Sequence, residues 1–395
     1  MLNSRKSRRR VVLSAAIAAT FLTVSGGGLS AFADTSLSTS PVSVAVGSAP
    51  TGMAYSPDGD TLFVANMGGA SVSEVSTATG QVTHTIAVSS NAGAIVTVAP
   101  NGRYAYVASW ADGKLNTIDT ATHTETATES NLPNAMDVEV SPDSNTVYVA
   151  DYGSGEVSVF AANNGHPTLT HTITVGSQPS SLAISPDGSR LYVVNNGSGT
   201  VSVIDTATNS VLVGSELTTN SSPWAVSISP NAQYLAVSHD GGNGIKIFDL
   251  VHGTSSTVSL SERSFSVWFG GTSQRLYATE FDSSRVSTID LTNSNAVTSL
   301  IPSGASGMRD VVMSPDGCQL SAAGQNTSTV YFLNVSPCEP NAGLGVIDDE
   351  ASATSEAEGS LANTGTDSLA GFATVAGALA LLMAGVSLLL LRRRA

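Results

Sequence analysis

Short runs of apolar residues recur from about residue 41 to residue 335, and polar, Gly-rich segments separate them. Some runs are apolar on both faces, such as residues 62–65 and 191–194, which suits strands of a sheet that is covered on both sides. Others alternate apolar and polar residues, as in residues 201–205. None has a helical period, so the pattern predicts an all-β domain of short strands joined by tight turns.

The turn sequence Ser-Pro-Asp-Gly recurs along the same region, in complete and degenerate copies. The seven copies begin at Ser56, Ala99, Ser141, Ser185, Ser229, Gly270 and Ser314. The copy at Gly270 has lost the motif, so we expect its unit to be intact with an altered turn. A regular spacing of about 43 residues is the sequence signature of a repeat architecture. Four predicted strands in each repeat are typical of propeller blades.

The ends of the repeat region predict how the ring closes. The seventh repeat reaches Pro337 and Cys338 where its outermost strand should begin, and a spare strand precedes the first repeat at residues 42–46. We therefore expect the N-terminal strand to complete blade 7. Cys318 and Cys338 are the only cysteines. In an oxidising compartment, two cysteines this close in sequence are expected to form a disulfide, here on that same blade.

Residues 191–195 (LYVVN) and 201–208 (VSVIDTAT) carry a resemblance to a known family. They resemble the YVTN-type β-propeller repeats of prokaryotic surface-layer and secreted proteins, over about 295 residues of the chain. The resemblance implies a seven-bladed β-propeller with four-stranded blades, assigned here to residues 34–338.

The N-terminus has the features of a secretion signal at residues 1–33. Five basic residues precede a short apolar stretch, and Ala31 and Ala33 form the small-x-small pattern before a cleavage site. Residues 7–9 (SRR) also resemble a twin-arginine signal, which leaves the export route open. Either route takes the mature domain out of the cytoplasm.

The C-terminus has three parts, assigned to residues 361–395. A pentapeptide precedes an apolar run at residues 369–391, long enough to span a bilayer, and three arginines follow. The pentapeptide consists of Leu361, Ala362, Asn363, Thr364 and Gly365. This arrangement resembles the sorting signal of sortase substrates in the variant of high-GC Gram-positive bacteria. It implies cleavage after Thr364 and attachment to cell-wall peptidoglycan; a permanent membrane anchor is the alternative.

Charge and composition narrow the class of partner. The chain has 16 Lys and Arg against 31 Asp and Glu, a formal net charge of −15. The two ends hold half of the basic residues, so the predicted propeller is more acidic still, which disfavours nucleic acid as a partner. Residues 339–360 are rich in Ala, Ser and Glu and lack aromatics, and they are expected to form a disordered spacer.

Propellers of this kind usually bind ligands over the central opening. The loops expected there supply aromatic, basic and acidic candidates for a binding face. They are Trp110, Asp137, Trp224, Glu280, Arg309 and Asp310. Aromatic and Arg side chains are common binding anchors, and the acids could hold a divalent cation such as Ca²⁺. The alternative is that Asp and Asn are present because turns favour them.

The sequence contains no recognised catalytic motif and assigns no catalytic residue. This favours a surface binding, adhesion or structural module with a protein or glycan ligand. Related propellers include lactone hydrolases that bind a divalent metal, so a metal-dependent lactonase-like hydrolase or lyase is the alternative, with Asn195 a further ligand candidate. The six histidines show no ligand spacing. His239-Asp240 is the one His–acid pair in a loop of the predicted binding face.

Overall fold

The computed structural model describes residues 36–38, 40–90, 95–242, 244–302 and 304–338. The predicted signal peptide, the spacer and the sorting signal lie outside these residues. No helix within the described ranges is both long enough and apolar enough to cross a membrane. The described ranges form seven antiparallel sheets, which are the blades of a β-propeller.

The strands of each blade run in chain order from the centre of the ring outward. In blades 1 to 3 they are Pro50–Tyr55, Thr61–Asn66, Ser71–Ser76 and Gln81–Ala87; Ile95–Val98, Tyr104–Ser109, Lys114–Asp119 and Thr124–Ser130; and Ala135–Val140, Thr146–Asp151, Glu156–Ala161 and Thr168–Thr174. A short 3-10 helix, Asn163–Gly165, precedes the last of these.

Blades 4 to 6 repeat the order. Their strands are Pro179–Ile184, Arg190–Asn195, Thr200–Asp205 and the broken outer pair Ser210–Val211 and Leu217–Thr218; Pro223–Ile228, Tyr234–His239, Gly244–Asp249 and Thr254–Ser259; and Val267–Phe269, Arg275–Glu280, Arg285–Asp290 and Ala296–Leu300. Blade 6 is complete although its turn has lost the Ser-Pro-Asp-Gly motif. Ser273 takes the left-handed conformation there (φ 59°) that glycine takes in the complete copies.

Blade 7 contains Met308–Met313, Gln319–Gly324 and Thr329–Ser336, and a 3-10 helix, Gln325–Thr327, links the last two. Val42–Ala45 adds the outermost strand by antiparallel pairing from Val42 with Phe332 to Ala45 with Thr329. The predicted closure by the N-terminal strand is therefore confirmed. Ser36–Leu37 pairs further along Thr329–Ser336.

The predicted disulfide between Cys318 and Cys338 is also confirmed, with Cα atoms 4.2 Å apart. Cys318 directly precedes the second strand of blade 7, and Cys338 follows the third. The cross-link therefore lies on the blade that two distant parts of the chain build together.

The hydrophobic core lies between blades rather than within one layer. Each of the seven seams in the described structure holds its own cluster of buried apolar side chains. At the closing seam, Val44 of the N-terminal strand and Phe332 of blade 7 share a cluster with Leu62 of blade 1. The middle strands are covered on both faces, which explains their continuous apolar sequences.

Candidate functional site

The innermost strands surround a cavity of about 830 Å³ along the axis of the ring. All seven run in the same direction, so their first residues meet at one end of the cavity and the turns that follow them meet at the other. The turn end is lined by Pro57, Pro100, Pro142, Pro186, Pro230 and Pro315. The opposite end, called the channel mouth here, is lined by Trp110, Tyr152, Trp224, Phe265, Arg309 and Gln325.

Aromatic side chains from blades 5 and 6 form one side of the channel mouth. Trp224 and Phe265 pack edge to face with ring centroids 5.4 Å apart, and Phe265 contacts Phe281 in the same way at 5.2 Å. The Arg309 guanidinium carbon lies 3.9 Å from the Phe265 centroid and 5.3 Å from that of Trp224. These contacts are cation–π interactions, which bring a positive charge to an apolar surface.

Two arginines, Arg263 and Arg309, lie over the Phe265 ring, and they differ in their partners. Arg263 pairs with Asp282 at 2.8 Å and Asp240 at 3.3 Å, and the hydrogen bond with Asp282 raises its pKa. Arg309 forms no ion pair within the part of the chain that the structure describes. Burial lowers the pKa of Arg309 to about 10, so its guanidinium remains charged at neutral pH. Among the described residues, Arg309 therefore places a positive charge at the channel mouth without a direct ion pair, and the more distant charges of Asp240 and Asp310 favour its charged form.

Asp310 lies next to Arg309 but points into the ring. Its Oδ2 accepts a hydrogen bond from the Met53 amide of blade 1 at 2.8 Å, and its Oδ1 accepts one from the Ser266 hydroxyl of blade 6 at 2.7 Å. Burial raises the pKa of Asp310 to about 6. The side chain thus joins three blades, and both of its oxygens already accept hydrogen bonds.

Asp137 connects blades 3 and 4 in the equivalent way, because its Oδ2 accepts the Leu182 amide hydrogen at 2.8 Å. Two residues along the same strand, Glu139 accepts a hydrogen bond from the Ile184 amide. Burial raises the pKa of Asp137 to about 7 and that of Glu139 to about 8. Both line the cavity. Sequence reasoning missed Glu139, although two acids two residues apart in an innermost strand were a usable signal.

Glu280 lies inside blade 6, where it is 1% exposed, and it does not line the cavity. Its carboxylate accepts hydrogen bonds from the Ser261 amide at 3.0 Å and from the hydroxyls of Ser261 and Ser287. Asn195 occupies the same position in blade 4 and donates to Ser202 at 2.9 Å. These residues cross-link neighbouring strands within a blade.

Trp110 and His239 have different surroundings. Trp110 is 47% exposed at the channel mouth, and its carbonyl accepts a hydrogen bond from Asn134. His239 is buried, and its Nδ1 lies 3.1 Å from the Gly244 carbonyl oxygen. Burial lowers the pKa of His239, while Asp240 pairs with Arg263 instead. The His239-Asp240 pair therefore has no shared hydrogen bond in the described structure.

The acids considered as metal ligands do not converge. Asp137, Asp310, Glu280 and Asn195 are each held by amides or hydroxyls of the fold. Within the described ranges, the one group of three or more acidic, His or Cys side chains close enough to share an ion is Glu74, His84 and His123, away from the cavity.

Known proteins resemble this chain in two ways. A family model described as "Lactonase, 7-bladed beta-propeller" matches residues 18–133 and 162–261, more than half of the chain. A solved structure titled hydrazine synthase of Kuenenia stuttgartiensis superposes with a TM-score of 0.66 at 22% identity and covers 73% of this chain and 96% of that chain. At that identity the superposition shows the fold alone. No curated protein matches in sequence.

Proposed function

The chain belongs to the family of seven-bladed β-propeller lactonases, and from that premise we propose that its channel mouth binds a small organic acid. The observation that carries the proposal is Arg309, a charged guanidinium flanked by Trp224 and Phe265 and unpaired within the described structure. A carboxylate is its natural partner because the planar guanidinium can bind two oxygens at once.

The shape of the cavity supports a ligand of modest size. Its volume of about 830 Å³ lies within the range of roughly 300–1,000 Å³ typical of small-molecule sites. The mouth offers aromatic faces beside one cation, which suits a carboxylate attached to a sugar or another compact carbon skeleton. Uronic and aldonic acids have this chemistry, and aldonic acids are also the hydrolysis products of sugar lactones.

The binding proposal is tested by calorimetric titration with gluconate and glucuronate. We expect saturable 1:1 binding that Arg309→Gln weakens at least tenfold. Arg285→Gln is the matched charge control, because Arg285 begins the third strand of blade 6 and does not line the cavity. Equal affinities in Arg309→Gln and the unaltered chain would overturn the proposal.

Lactone hydrolysis is the second candidate, favoured by family membership and by Glu139. A carboxyl group with a pKa near 8 inside the channel is suited to exchanging protons near neutral pH. In this reaction, water adds to the lactone carbonyl, the ring C–O bond breaks, and the leaving alkoxide takes a proton to give a hydroxy acid. Proton release from δ-gluconolactone above the spontaneous rate, reduced in Glu139→Gln, would support this activity. Product formation at the spontaneous rate would exclude it for this lactone.

We also propose, from the sequence of the two ends, that the propeller is displayed on a Gram-positive cell wall. Sortase would cleave between Thr364 and Gly365 and join the threonine to peptidoglycan, so that the propeller would meet its ligand outside the cell. Mass spectrometry of cell-wall fragments tests this proposed localisation. We expect a peptide ending at Thr364 linked to a wall amine, and a chain that keeps residues 365–395 in the membrane fraction would contradict it.

A further inference from the structure

We propose that Glu74, His84 and His123 form a site for a divalent transition-metal ion of the Zn²⁺ class at the seam between blades 1 and 2. Glu74 lies on the third strand of blade 1, and His84 faces it from the outermost strand. His123 comes from blade 2, at the turn before its outermost strand. The site is separate from the channel and does not depend on the function proposed for it.

The donor atoms already converge. Glu74 Oε2 lies 3.0 Å from His84 Nδ1 and 2.8 Å from His123 Nδ1. The two imidazole rings stack with centroids 3.7 Å apart and planes 11° from parallel. Ligands of a tetrahedral zinc ion at about 2.0–2.1 Å lie roughly 3.3 Å from one another. The two imidazole donors would need to move from Glu74 by only a few tenths of an ångström. The rings would also have to turn out of their stacked arrangement, because a metal ion lies near the plane of each imidazole that binds it.

Comparison among the blades shows that Glu74 is an exception. It is the fourth residue of the third strand, and the same position in the other six blades holds an uncharged residue. These are Thr117, Val159, Val203, Ile247, Thr288 and Phe332. A carboxylate here is 2% exposed, and burying a charge is unfavourable unless it is paired or binds a metal. The fold therefore does not need Glu74 at this position.

His123 occupies a turn position that is left-handed in several blades. Its φ is 56°, in the left-handed region, and the corresponding turns of blades 1, 4 and 5 place Gly80, Asn209 and Gly253 there. Histidine and asparagine both adopt this conformation more often than most other residues with a side chain. The turn places His123 Nδ1 2.8 Å from Glu74 Oε2.

The seam between blades 3 and 4 provides an internal comparison. His171 corresponds to His84 by its pairing with Val159, which replaces the glutamate. Asn209 replaces His123, and its Nδ2 lies 3.5 Å from His171 Nδ1. This seam has one imidazole and no carboxylate. The blade architecture is therefore compatible with either arrangement, and among the described residues only the seam between blades 1 and 2 collects three ligands.

The donor set determines the class of metal. Two imidazole nitrogens and one carboxylate suit Zn²⁺, Cu²⁺ or Ni²⁺, whereas Ca²⁺ and Mg²⁺ prefer oxygen ligands only. The side chains of His84 and His123 are 46% and 37% exposed. Coordination positions of the ion that are not taken by protein ligands would therefore face solvent, as in zinc sites with three protein ligands and a water molecule.

The test is calorimetric titration of the full-length chain, purified without a histidine tag and freed of metal, with ZnCl₂. We expect one Zn²⁺ per chain at this site and no competition from CaCl₂. Each test variant introduces a residue that another blade has at that position: Glu74→Thr, His84→Ala and His123→Asn. Each should weaken Zn²⁺ binding by more than the roughly 10–100-fold that outer-shell changes produce. His171→Ala is the matched control and should leave the affinity unchanged.

Cobalt gives a second readout that does not depend on heats. Bound Co²⁺ should show visible absorption bands of a low-coordinate site in the unaltered chain and in His171→Ala, and none in His123→Asn. Three results would overturn the proposal: no Zn²⁺ binding, in which case the cluster is only an imidazole–carboxylate ion pair; unchanged binding in His84→Ala and His123→Asn; or equal competition by Ca²⁺. Since His123→Asn places a residue suited to the left-handed conformation, loss of the fold would not explain its effect.

Discussion

The carboxylate of Asp310 in blade 7 accepts a hydrogen bond from the backbone amide of Met53 in blade 1, with an N···O distance of 2.8 Å. These residues are far apart in sequence and lie on the two sides of the closing seam. The ring is thus closed at its inner edge by a buried side chain as well as at its outer edge by the strand Val42–Ala45.

Replacement of Asp310 should weaken this inner closure. In Asp310→Ala the buried Met53 amide loses its acceptor, which typically costs about 1–3 kcal/mol of unfolding free energy. Asp310→Asn keeps an acceptor oxygen and should cost less. Urea denaturation measures the stability of both variants. Asp137→Ala is the matched comparison, because it removes the equivalent contact between blades 3 and 4. Unchanged stability in Asp310→Ala would contradict this role.

The buried acids should make stability fall as pH rises. Burial raises the pKa values of Asp310, Asp137 and Glu139 to about 6, 7 and 8, above the ordinary value near 4. Their protonated forms are therefore favoured in the folded state. This contribution is fully present below about pH 4 and is lost as pH rises through about 6 to 8.

Thermal melts between pH 4 and pH 9 check this dependence. Glu139→Gln keeps an acceptor for the Ile184 amide but cannot ionise, so its decline at alkaline pH should be shallower. Asp187→Asn is the contrasting control. Hydrogen bonding from Ser185 lowers the pKa of Asp187, so its carboxylate stays ionised throughout this range and the change should leave the alkaline decline unaltered. A wild-type melting temperature that rises from pH 5 to pH 8 would contradict the assignment.

The disulfide should stabilise blade 7. It joins residues separated by 20 positions, and closing a loop of that size stabilises by about 3 kcal/mol in the chain-entropy model. We expect Cys318→Ala/Cys338→Ala to lose about that amount in urea denaturation. Adding a thiol reductant should lower the unfolding free energy of the unaltered chain by a similar amount and leave that of the double variant unchanged. Equal stability of the two chains would show that strand pairing alone holds the blade.

Gly176 should not tolerate a side chain. A Cβ atom there would lie 2.5 Å from Asn195 Cγ. The approach is close because Asn195 Oδ1 accepts a hydrogen bond from the Gly176 amide at 3.1 Å. Overpacking of this kind typically costs about 1–3 kcal/mol. Gly242→Ala is the control, since a Cβ at Gly242 meets no neighbour within 4 Å. Equal unfolding free energies of the two variants would contradict the close approach.

The sequence predicted the blade number, the closing strand and the disulfide because each depends on pattern and spacing along the chain. It could not predict side-chain direction. Glu280 follows the same strand pattern as residues expected at the opening, yet it is buried among serines within its blade. Arg309 and Asp310 are neighbours in sequence, and only the arginine lies over the aromatic side chains of the channel mouth.

The cluster of Glu74, His84 and His123 could not be predicted from the sequence for a different reason. Its histidines are 39 positions apart, nearly one repeat, so no local ligand spacing exists. The ring places the outermost strand of one blade beside the following hairpin, and that brings the two imidazoles together. A search for histidines separated by about one repeat length would have found the pair.

The disulfide of blade 7 has a mechanical consequence. Cys338 is the last residue of the described propeller, and its bond leads to Cys318 at the start of a central strand. A force applied to the chain beyond residue 338 would therefore act on both Thr329–Ser336 and Gln319–Gly324. The strand Thr329–Ser336 could not be detached from the sheet starting at its C-terminal end. A force applied there should therefore unfold other parts of the propeller before it unfolds the last strand of blade 7.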